Sequence, residues 1–361
     1  TVLSDILDMF STPQPATNLD AIDSSTPAWF FASSPSNQHL QYRKVSWNGE
    51  VPSFSDTATL GGIPAATLSL PEAPAQGSST RIHTGDFRLQ SATILNGRLW
   101  TARTVAVNSA GAASPADRTA CEWFELDVSG ATPSLVQVGR VFDTTPNDPT
   151  YYYYPAIMVN GQGHAVMGFS GSRSTGYVGA YYTGRLAGDP LGTMGAPVLY
   201  KAGAAGYIQN DPSGRNRWGD YSHTTLDPND WMSLWTVQEY AEAKGSSVSG
   251  VTSRWGTRVA RILAPAPTLV SGPTVTVERG ATGVTLSLTG TGFFDPGPGF
   301  PNRLSAEITG GSPNGITITD VNYLGPTAAT VTFGVAPNAA GGSRTLTVTN
   351  PDGQRVSVPH G

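Results

Sequence analysis

Acidic, basic and phenolic residues recur at the start of short strand-like segments, and they are the residues of this chain best suited to chemistry. Asp86 is followed two residues later by Arg88, and Arg217 is followed three residues later by Asp220. Carboxylates transfer protons, and arginines bind carboxylates and other anions. The spacing predicts either a polar funnel where the strand starts converge or ion pairs that hold neighbouring strands in register. The residues favour the ion pairs.

Tyr221 and Glu239 lie in the same segment as Arg217 and suggest one specific reaction. A phenol and a carboxylate act as nucleophile and base in sialidases, which hydrolyse glycosidic bonds. The chain lacks the repeated Ser-x-Asp-x-Gly-x-Thr-Trp turns of sialidases, which argues against that assignment. If the protein is an enzyme, its candidate catalytic residues are Asp86, Arg88, Arg217, Asp220, Tyr221 and Glu239.

A run of four tyrosines, Tyr151–Tyr154, is the most conspicuous aromatic feature. It predicts either a stacking platform for a carbohydrate or a partner, or alternating burial with two rings in the core. It could also form an edge strand that pairs with another chain. The candidate binding residues are Tyr151, Tyr152, Tyr153, Tyr154, Trp218 and Trp255.

Metal sites have weak support. Asp227, Asn229 and Asp230 resemble half of a calcium loop, but the rest of that motif is missing. An Asx turn around Pro228 is the interpretation that these residues favour. The five histidines are dispersed and show no ligand spacing. We therefore expect no cofactor, with Ca²⁺ as a weakly supported ligand.

Composition argues against several functional classes. The 361 residues carry a net charge of −5, and charged residues make up only 13% of the chain. This balance does not fit a nucleic-acid-binding protein, which usually carries a basic stripe. No apolar run is long enough to cross a bilayer. Cys121 is the only cysteine, so no disulfide forms within the chain, and its strand-like surroundings predict a buried thiol.

The segment from Arg217 to Ile262 has the pattern of a complete sheet module. It predicts strands at Ser222–Leu226, Ser233–Tyr240 and Trp255–Ile262. Three or four antiparallel strands in about 45 residues match one blade of a β-propeller. Weaker copies of the pattern occur upstream at Phe87–Val105, at Tyr152–Ser170, and at Ala28–Ala32 with Leu40–Trp47.

Composition changes after the Pro-rich stretch Ala264–Pro267. Beyond it, Thr, Val and Gly dominate and apolar residues alternate, which predicts about seven short strands in a small β-sandwich. We therefore expect an all-β protein with a β-propeller domain at residues 1–263, a linker at 264–267 and an immunoglobulin-like sandwich at 268–361. The propeller would be incomplete at its N-terminus if an earlier blade precedes this chain.

The second domain resembles the IPT/TIG family of immunoglobulin-like modules, through Gly290–Phe293 and Arg344–Gln354. In large extracellular bacterial proteins, such modules are spacers or adhesive units. The resemblance therefore implies a structural or adhesive role for this domain.

The first domain resembles a family of secreted bacterial β-propeller proteins of poorly defined function over about residues 27–263. Four segments carry the resemblance: Tyr154–Ala156, Arg217–Ser222, Trp235–Tyr240 and Trp255–Thr257. It implies an extracellular or cell-surface location, reached through a signal sequence that this chain does not include. It supplies no catalytic residues.

Two β-domains with few charges and many aromatics, and without a strong catalytic motif, favour a non-enzymatic extracellular scaffold for binding or assembly. Its partners would be proteins or glycans at the cell surface, contacted through Tyr151–Tyr154 and two long loops, Ser109–Arg118 and Gly203–Asn216. One alternative is a glycan-active hydrolase or lyase that uses the mouth of the propeller channel. Another is an accessory subunit of a larger surface or filament assembly.

Overall fold

The computed structural model describes residues 9, 12–23, 25–34, 39–243, 253–270 and 275–359. These described residues form strands, turns and loops and contain no α-helix, so the fold class is all-β, as predicted. Within the same ranges, no helix has the length and apolarity needed to span a membrane. The chain divides into two compact units, Thr1–Thr225 with Leu234–Arg261, and Leu226–Ser233 with Ile262–Gly361.

The first unit is a series of sheets taken in chain order. The first sheet contains β1 (Gln14–Pro15), β3 (Ala28–Ser33), β4 (Leu40–Asn48), β5 (Val51–Phe54) and β6 (Ala58–Leu60). The second contains β2 (Thr17–Asn18), β7 (Ala92–Leu95), β8 (Arg98–Val107), β9 (Arg118–Asp127) and β10 (Ser134–Val141). The short strand β2 runs parallel to β7, and the other pairs in both sheets are antiparallel.

Two further sheets complete the first unit. The third runs in the order β11 (Tyr151–Val159), β12 (Ala165–Arg173), β13 (Gly176–Arg185) and β14 (Val198–Lys201). The last contains β15 (His223–Leu226), β16 (Leu234–Glu242) and β17 (Arg254–Ile262). The strands predicted for the sheet module and its upstream copies are all present, with ends that differ by a few residues.

Turn chemistry and packing explain why these segments form successive sheets. Asn96 and Gly97 join β7 to β8 with φ of 55° and 69°, the left-handed pair that a tight hairpin turn requires. Sheet faces then pack on one another, with β11 against β8 and β9, and β16 against β12 and β13. Each sheet packing on the next is the arrangement expected of propeller blades.

The second sheet is held by a buried charge network. Arg103 and Glu122 are both fully buried, with 2.7 Å between the Arg103 Nη2 and Glu122 Oε2 atoms. Arg140 contacts the other oxygen, Glu122 Oε1, at 2.8 Å, and its Nη1 also donates to the Gly111 carbonyl. A buried charge is tolerated only when it is paired and hydrogen-bonded. The network therefore fixes the register of β8, β9 and β10.

The second unit contains two facing sheets, as expected for a β-sandwich. The larger sheet runs in the order β18 (Thr268–Leu269), β19 (Val284–Thr291), β22 (Ala328–Val335) and β21 (Ile316–Gly325). The smaller contains β20 (Ser305–Thr309), β23 (Thr345–Thr349) and β24 (Arg355–Pro359). Alternate residues of both sheets enter one core, which includes Leu288, Phe293, Ile308, Val331, Phe333, Leu346 and Val348.

Asn350 joins the two motifs that carry the resemblance of this unit. Its side-chain Nδ2 donates to the Gly292 carbonyl at 2.7 Å, and its Oδ1 accepts from the Phe294 N–H at 3.3 Å. Gly290 lacks the Cβ that would lie 1.9 Å from the Thr268 carbonyl oxygen. The glycines and the asparagine are therefore explained by close backbone packing.

We expect Glu122→Gln to destabilise the protein by about 3–5 kcal/mol, because it leaves the buried Arg103 guanidinium without its carboxylate. Urea unfolding followed by tryptophan fluorescence measures the change. The matched control is Arg98→Ala, which breaks the partly exposed ion pair with Asp127 in the same sheet and should cost about 0–1 kcal/mol. Equal losses for the two variants would contradict this assignment.

Candidate functional site

Two loops that are far apart in sequence meet and bring the predicted charged pairs together. The loop between β6 and β7 reaches the loop between β14 and β15, where the His83 N–H donates to the Asn216 carbonyl at 2.9 Å. Asn216 Nδ2 donates back to the Thr80 carbonyl at 3.0 Å. We call the resulting group of side chains the polar cluster, which comprises His83, Asp86, Arg88, Tyr154, Arg217, Asp220, Tyr221 and Glu239.

Both predicted acid–arginine pairs form ion pairs at the edge of this cluster. Arg88 Nε lies 2.7 Å from Asp86 Oδ2, and Arg217 Nη2 contacts Asp220 Oδ2. All four side chains remain about a third exposed. The hydrogen bond to Asp86 raises the pKa of Arg88, burial opposes that rise, and the negative charge of Asp220 adds to it. Each ion pair therefore stabilises its own loop, and the charges of the two pairs also interact with each other.

Glu239 projects from β16 into a less solvated position. Its Oε2 atom accepts a hydrogen bond from the Gly219 N–H at 3.1 Å. Burial raises the pKa of Glu239, the Gly219 hydrogen bond opposes that rise, and the charge of Asp220 adds to it. A Cβ on residue 219 would lie 2.1 Å from Glu239 Oε2, so only glycine admits this approach. The Glu239 carboxyl therefore keeps its proton to a higher pH than the carboxyl of an exposed glutamate does.

Tyr154 lies at the centre of the cluster in an unusual backbone conformation. Its φ is 54°, in the left-handed region, and the pairing of β11 with β12 shifts register between Tyr153 and Ala156. The Tyr154 hydroxyl lies 3.2 Å from Asp220 Oδ1 and 3.3 Å from the His83 carbonyl oxygen. Burial raises the pKa of this phenol, and the nearby Asp220 adds to the effect. A neutral phenol therefore donates to the carboxylate.

The structure thus pairs a phenol with a carboxylate, but not the pair that the sequence suggested. Tyr221 is 67% exposed and lies near Arg88. Glu239 receives its hydrogen bond from backbone instead. The phenol–carboxylate pair of the cluster is Tyr154 with Asp220.

His83 is the cluster residue that sequence reasoning missed. Its Nδ1 atom is buried and has no hydrogen-bond partner among the described residues. Burial lowers the pKa of His83, and the positive charges of Arg217 and Arg215 lower it further. The imidazole is therefore neutral at physiological pH. Nothing in the sequence marks this histidine, because its neighbours Asn216 and Arg217 lie more than 130 positions away in the chain.

The prediction that Tyr151–Tyr154 form a surface platform is wrong. All four residues are buried, with exposed fractions between 0% and 7%. Alternating burial, with two rings only half-covered, is also wrong, because every residue of β11 is buried and the strand packs against β8 and β9. Tyr152 packs edge-on against Phe169 at 5.0 Å, and the Tyr153 hydroxyl is 2.9 Å from Ser172 Oγ. These rings form core and leave no face for a ligand.

The two tryptophans proposed for binding occupy different environments. Trp218 is only 3% exposed, and its Nε1 donates to Ser170 Oγ at 3.0 Å. The Trp218 ring is buried and offers no surface to a ligand, so the prediction that Trp218 is a binding residue is wrong. Trp255 is 53% exposed on β17. It remains available to a partner.

The proposed calcium residues are engaged in turns. Asp227 Oδ1 accepts from the Asn229 N–H at 2.9 Å, and Asp230 Oδ1 accepts from the N–H groups of Met232 and Ser233 at 2.9 and 2.8 Å. This is the Asx-turn arrangement. Across the described ranges, no three His, Cys, Asp or Glu side chains are grouped closely enough to hold a metal ion.

A cavity of about 620 Å³ lies in the second unit, between the two sheets of the sandwich. Its described lining is mainly apolar, with Arg279 and Arg344 as its charged residues. With no carboxyl group in that lining, it lacks the groups needed for acid–base chemistry. The polar cluster is therefore the stronger candidate for function.

No family model and no curated protein matches the chain. Among solved structures, the chain is similar to the GH93 alpha-L-arabinofuranosidase of Fusarium graminearum in complex with arabinobiose. The match has a TM-score of 0.36 and 12% identity, and it covers 96% of this chain and 92% of the other. A likeness of this size supports no inference about chemistry, which must come from the site.

We expect Gly219→Ala to raise the pKa of Glu239 further, because the new methyl group displaces its carboxyl from the Gly219 N–H. Overpacking at this point should also cost about 1–3 kcal/mol of stability. Carbon-13 NMR of labelled glutamate carboxyls measures the pKa, and urea unfolding measures the stability. Gly188→Ala is the control, since its Cβ would meet nothing within 4 Å. An unchanged Glu239 titration in Gly219→Ala would refute the described contact.

Proposed function

We propose that the polar cluster binds a carbohydrate and hydrolyses a glycosidic bond, with Glu239 as proton donor and Asp220 as the ionised partner. The observation that carries this proposal is the contrast between the two carboxyl groups. Burial raises the pKa of Glu239. Asp220 is ion-paired to Arg217 and accepts a hydrogen bond from the Tyr154 hydroxyl. Two neighbouring carboxyls in different surroundings, one partly buried and one ion-paired, are typical of acid–base sites.

The reaction follows from these two states. Glu239 gives its proton to the glycosidic oxygen, and the bond between that oxygen and the anomeric carbon breaks. The negative charge of Asp220 stabilises the positive charge that develops on the sugar ring. Water adds to the anomeric carbon and transfers its proton to Asp220, and exchange with solvent restores both carboxyls.

The remaining cluster residues suit a polyhydroxylated ligand. Arg88 and Asp86 offer donors and acceptors in a fixed ion pair, and both are partly exposed. Tyr221 presents an exposed ring on which a sugar can stack. The proposal includes the extracellular location that the sequence led us to expect, because polymeric glycans are found outside cells.

Glu239→Gln tests the proton-donor role. We expect hydrolysis of natural oligosaccharides to fall about 10²–10⁴-fold, because the amide cannot protonate the departing oxygen. Cleavage of 4-nitrophenyl glycosides should fall much less, since nitrophenolate leaves without a proton. The assay is product release from a panel of oligosaccharides and nitrophenyl glycosides of pentoses and hexoses.

The control for that experiment is Glu242→Gln on the same strand. Glu242 pairs with Arg254 and lies a third exposed. Its substitution should leave both rates unchanged. If the wild-type protein binds glycans but cleaves none, the site is a binding site and the hydrolase assignment fails.

The pH dependence has a definite sign. A glutamic acid whose pKa is raised stays protonated to higher pH, so the basic limb of kcat/KM should lie above the usual glutamate value of about 4.5. Activity should fall as pH rises through the Glu239 pKa. Initial rates across the pH range test this. A basic limb that survives in Glu239→Gln would assign the acid to another residue.

A second candidate function is assembly with another protein through β17. This strand lies at the edge of its sheet and is exposed on both faces, with Trp255 at 53% and Val259 at 55% exposure. Exposed apolar residues on an edge strand favour pairing with another strand. This observation supports the assembly function, whereas the buried Tyr151–Tyr154 run does not contribute to it.

Trp255→Lys tests the assembly function. If β17 is an interface, the substitution should convert an oligomer or complex to a monomer while leaving the unfolding midpoint unchanged. Sedimentation velocity at several protein concentrations measures this. Thr257→Lys on the same strand is a milder control. A wild-type protein that stays monomeric at all concentrations and recruits no partner removes this candidate.

A further inference from the structure

Tyr154 uses every polar atom it has to join three parts of the first unit. Its N–H donates to Thr104 Oγ1 on β8 at 3.2 Å, and its carbonyl accepts from Ser222 Oγ at 2.9 Å. Its hydroxyl reaches both Asp220 and the His83 carbonyl, at 3.2 and 3.3 Å. One residue of β11 thus contacts the second sheet and both loops of the polar cluster.

The backbone of Tyr154 is held in a costly conformation to make these contacts. A left-handed φ in a residue other than glycine costs of order 1–3 kcal/mol and persists only where surrounding contacts impose it. Its neighbour across the cluster is adapted to it, because a Cβ on Gly85 would lie 2.5 Å from the Tyr154 ring. Gly85 itself has a φ of 77°. Glycine at position 85 therefore leaves the space that the Tyr154 ring occupies.

We propose that Tyr154 is a positioning residue whose hydroxyl fixes the Asp220 carboxylate and, through it, the Arg217–Ser222 loop opposite Glu239. The hydroxyl takes one oxygen of Asp220, while Arg217 takes the other. The carboxylate is therefore held from both sides. Because Gly219 precedes Asp220 and donates to Glu239, holding Asp220 also holds the hydrogen bond that orients the proton donor.

Other charged and titratable groups also face Asp220 and must be considered in any test by pH. Arg217 and Tyr221 come from its own loop, and His83 and Arg88 come from the loop before β7. Tyr154 comes from β11 and Glu239 from β16. Removing the Tyr154 hydroxyl leaves all the others in place. Its effect can therefore be separated from theirs.

This role rests on the proposed function in one respect, because it gives Asp220 a part in the reaction. Tyr154→Phe keeps the ring and removes only the hydroxyl. We expect KM to be unchanged and kcat to fall about two- to tenfold, because the Asp220 carboxylate loses a hydrogen bond that holds it in place. The control is Tyr153→Phe, the adjacent buried tyrosine whose hydroxyl contacts Ser172 of its own sheet.

A second measurement does not depend on activity. Amide hydrogen exchange in residues 217–222 should speed up roughly tenfold in Tyr154→Phe and stay unchanged in Tyr153→Phe, with similar unfolding midpoints for both. If the wild type cleaves no glycan, the proposed function fails, and loop exchange alone decides whether Tyr154 positions the loop. If exchange in this loop and kcat both match the wild type, the positioning role is overturned. Exchange that rises throughout the unit instead would show a general structural role and would also overturn it.

Discussion

The left-handed backbone of Tyr154 is the constraint on which the polar cluster depends. At this residue β11 loses its regular pairing, and the phenol turns toward the two loops instead of lying flat in the sheet interface. Its hydrogen bonds tie Thr104, Ser222 and Asp220 to one point. A flexible side chain could not hold this geometry without a larger entropic cost. Contacts from three separate segments offset the backbone strain of Tyr154. Those contacts bring the three segments together at this residue.

Glycine makes this convergence physically possible. Gly85 gives room to the Tyr154 ring, and Gly219 gives room to the Glu239 carboxyl. In both cases a side chain of the cluster lies where a methyl group would be. Burial removes water from the Glu239 carboxyl and raises its pKa, although the cluster is open to solvent at its ion pairs, and the hydrogen bond from the Gly219 N–H opposes that rise.

The surrounding sheets supply rigidity. The Arg103–Glu122–Arg140 network holds the second sheet in one register, and Thr104, which receives the Tyr154 N–H, follows Arg103 directly on β8. The adjacent residues Arg103 and Thr104 of β8 therefore connect the buried ion pair to the polar cluster. The second unit contributes a separate apolar core, and its motif residues serve backbone packing. The candidate chemistry belongs to the first unit alone.

Sequence by itself determined the all-β class, the sheet module and its copies, and the two acid–arginine pairs, because alternation, turn residues and short-range spacing are local properties. It identified Asp220 and Glu239 as candidates and suggested a pair of Tyr221 with Glu239, whereas the phenol–carboxylate pair in the structure is Tyr154 with Asp220. Only the tertiary structure decided that Tyr154 is buried beside Asp220 and that His83 joins the cluster. Those contacts depend on where two loops cross and on one register shift in β11, and neither leaves a periodic signal in the sequence. Burial of the whole tyrosine run was likewise decided by packing against β8 and β9 and against the rings of Phe169 and Tyr181, which no pattern within the run could show.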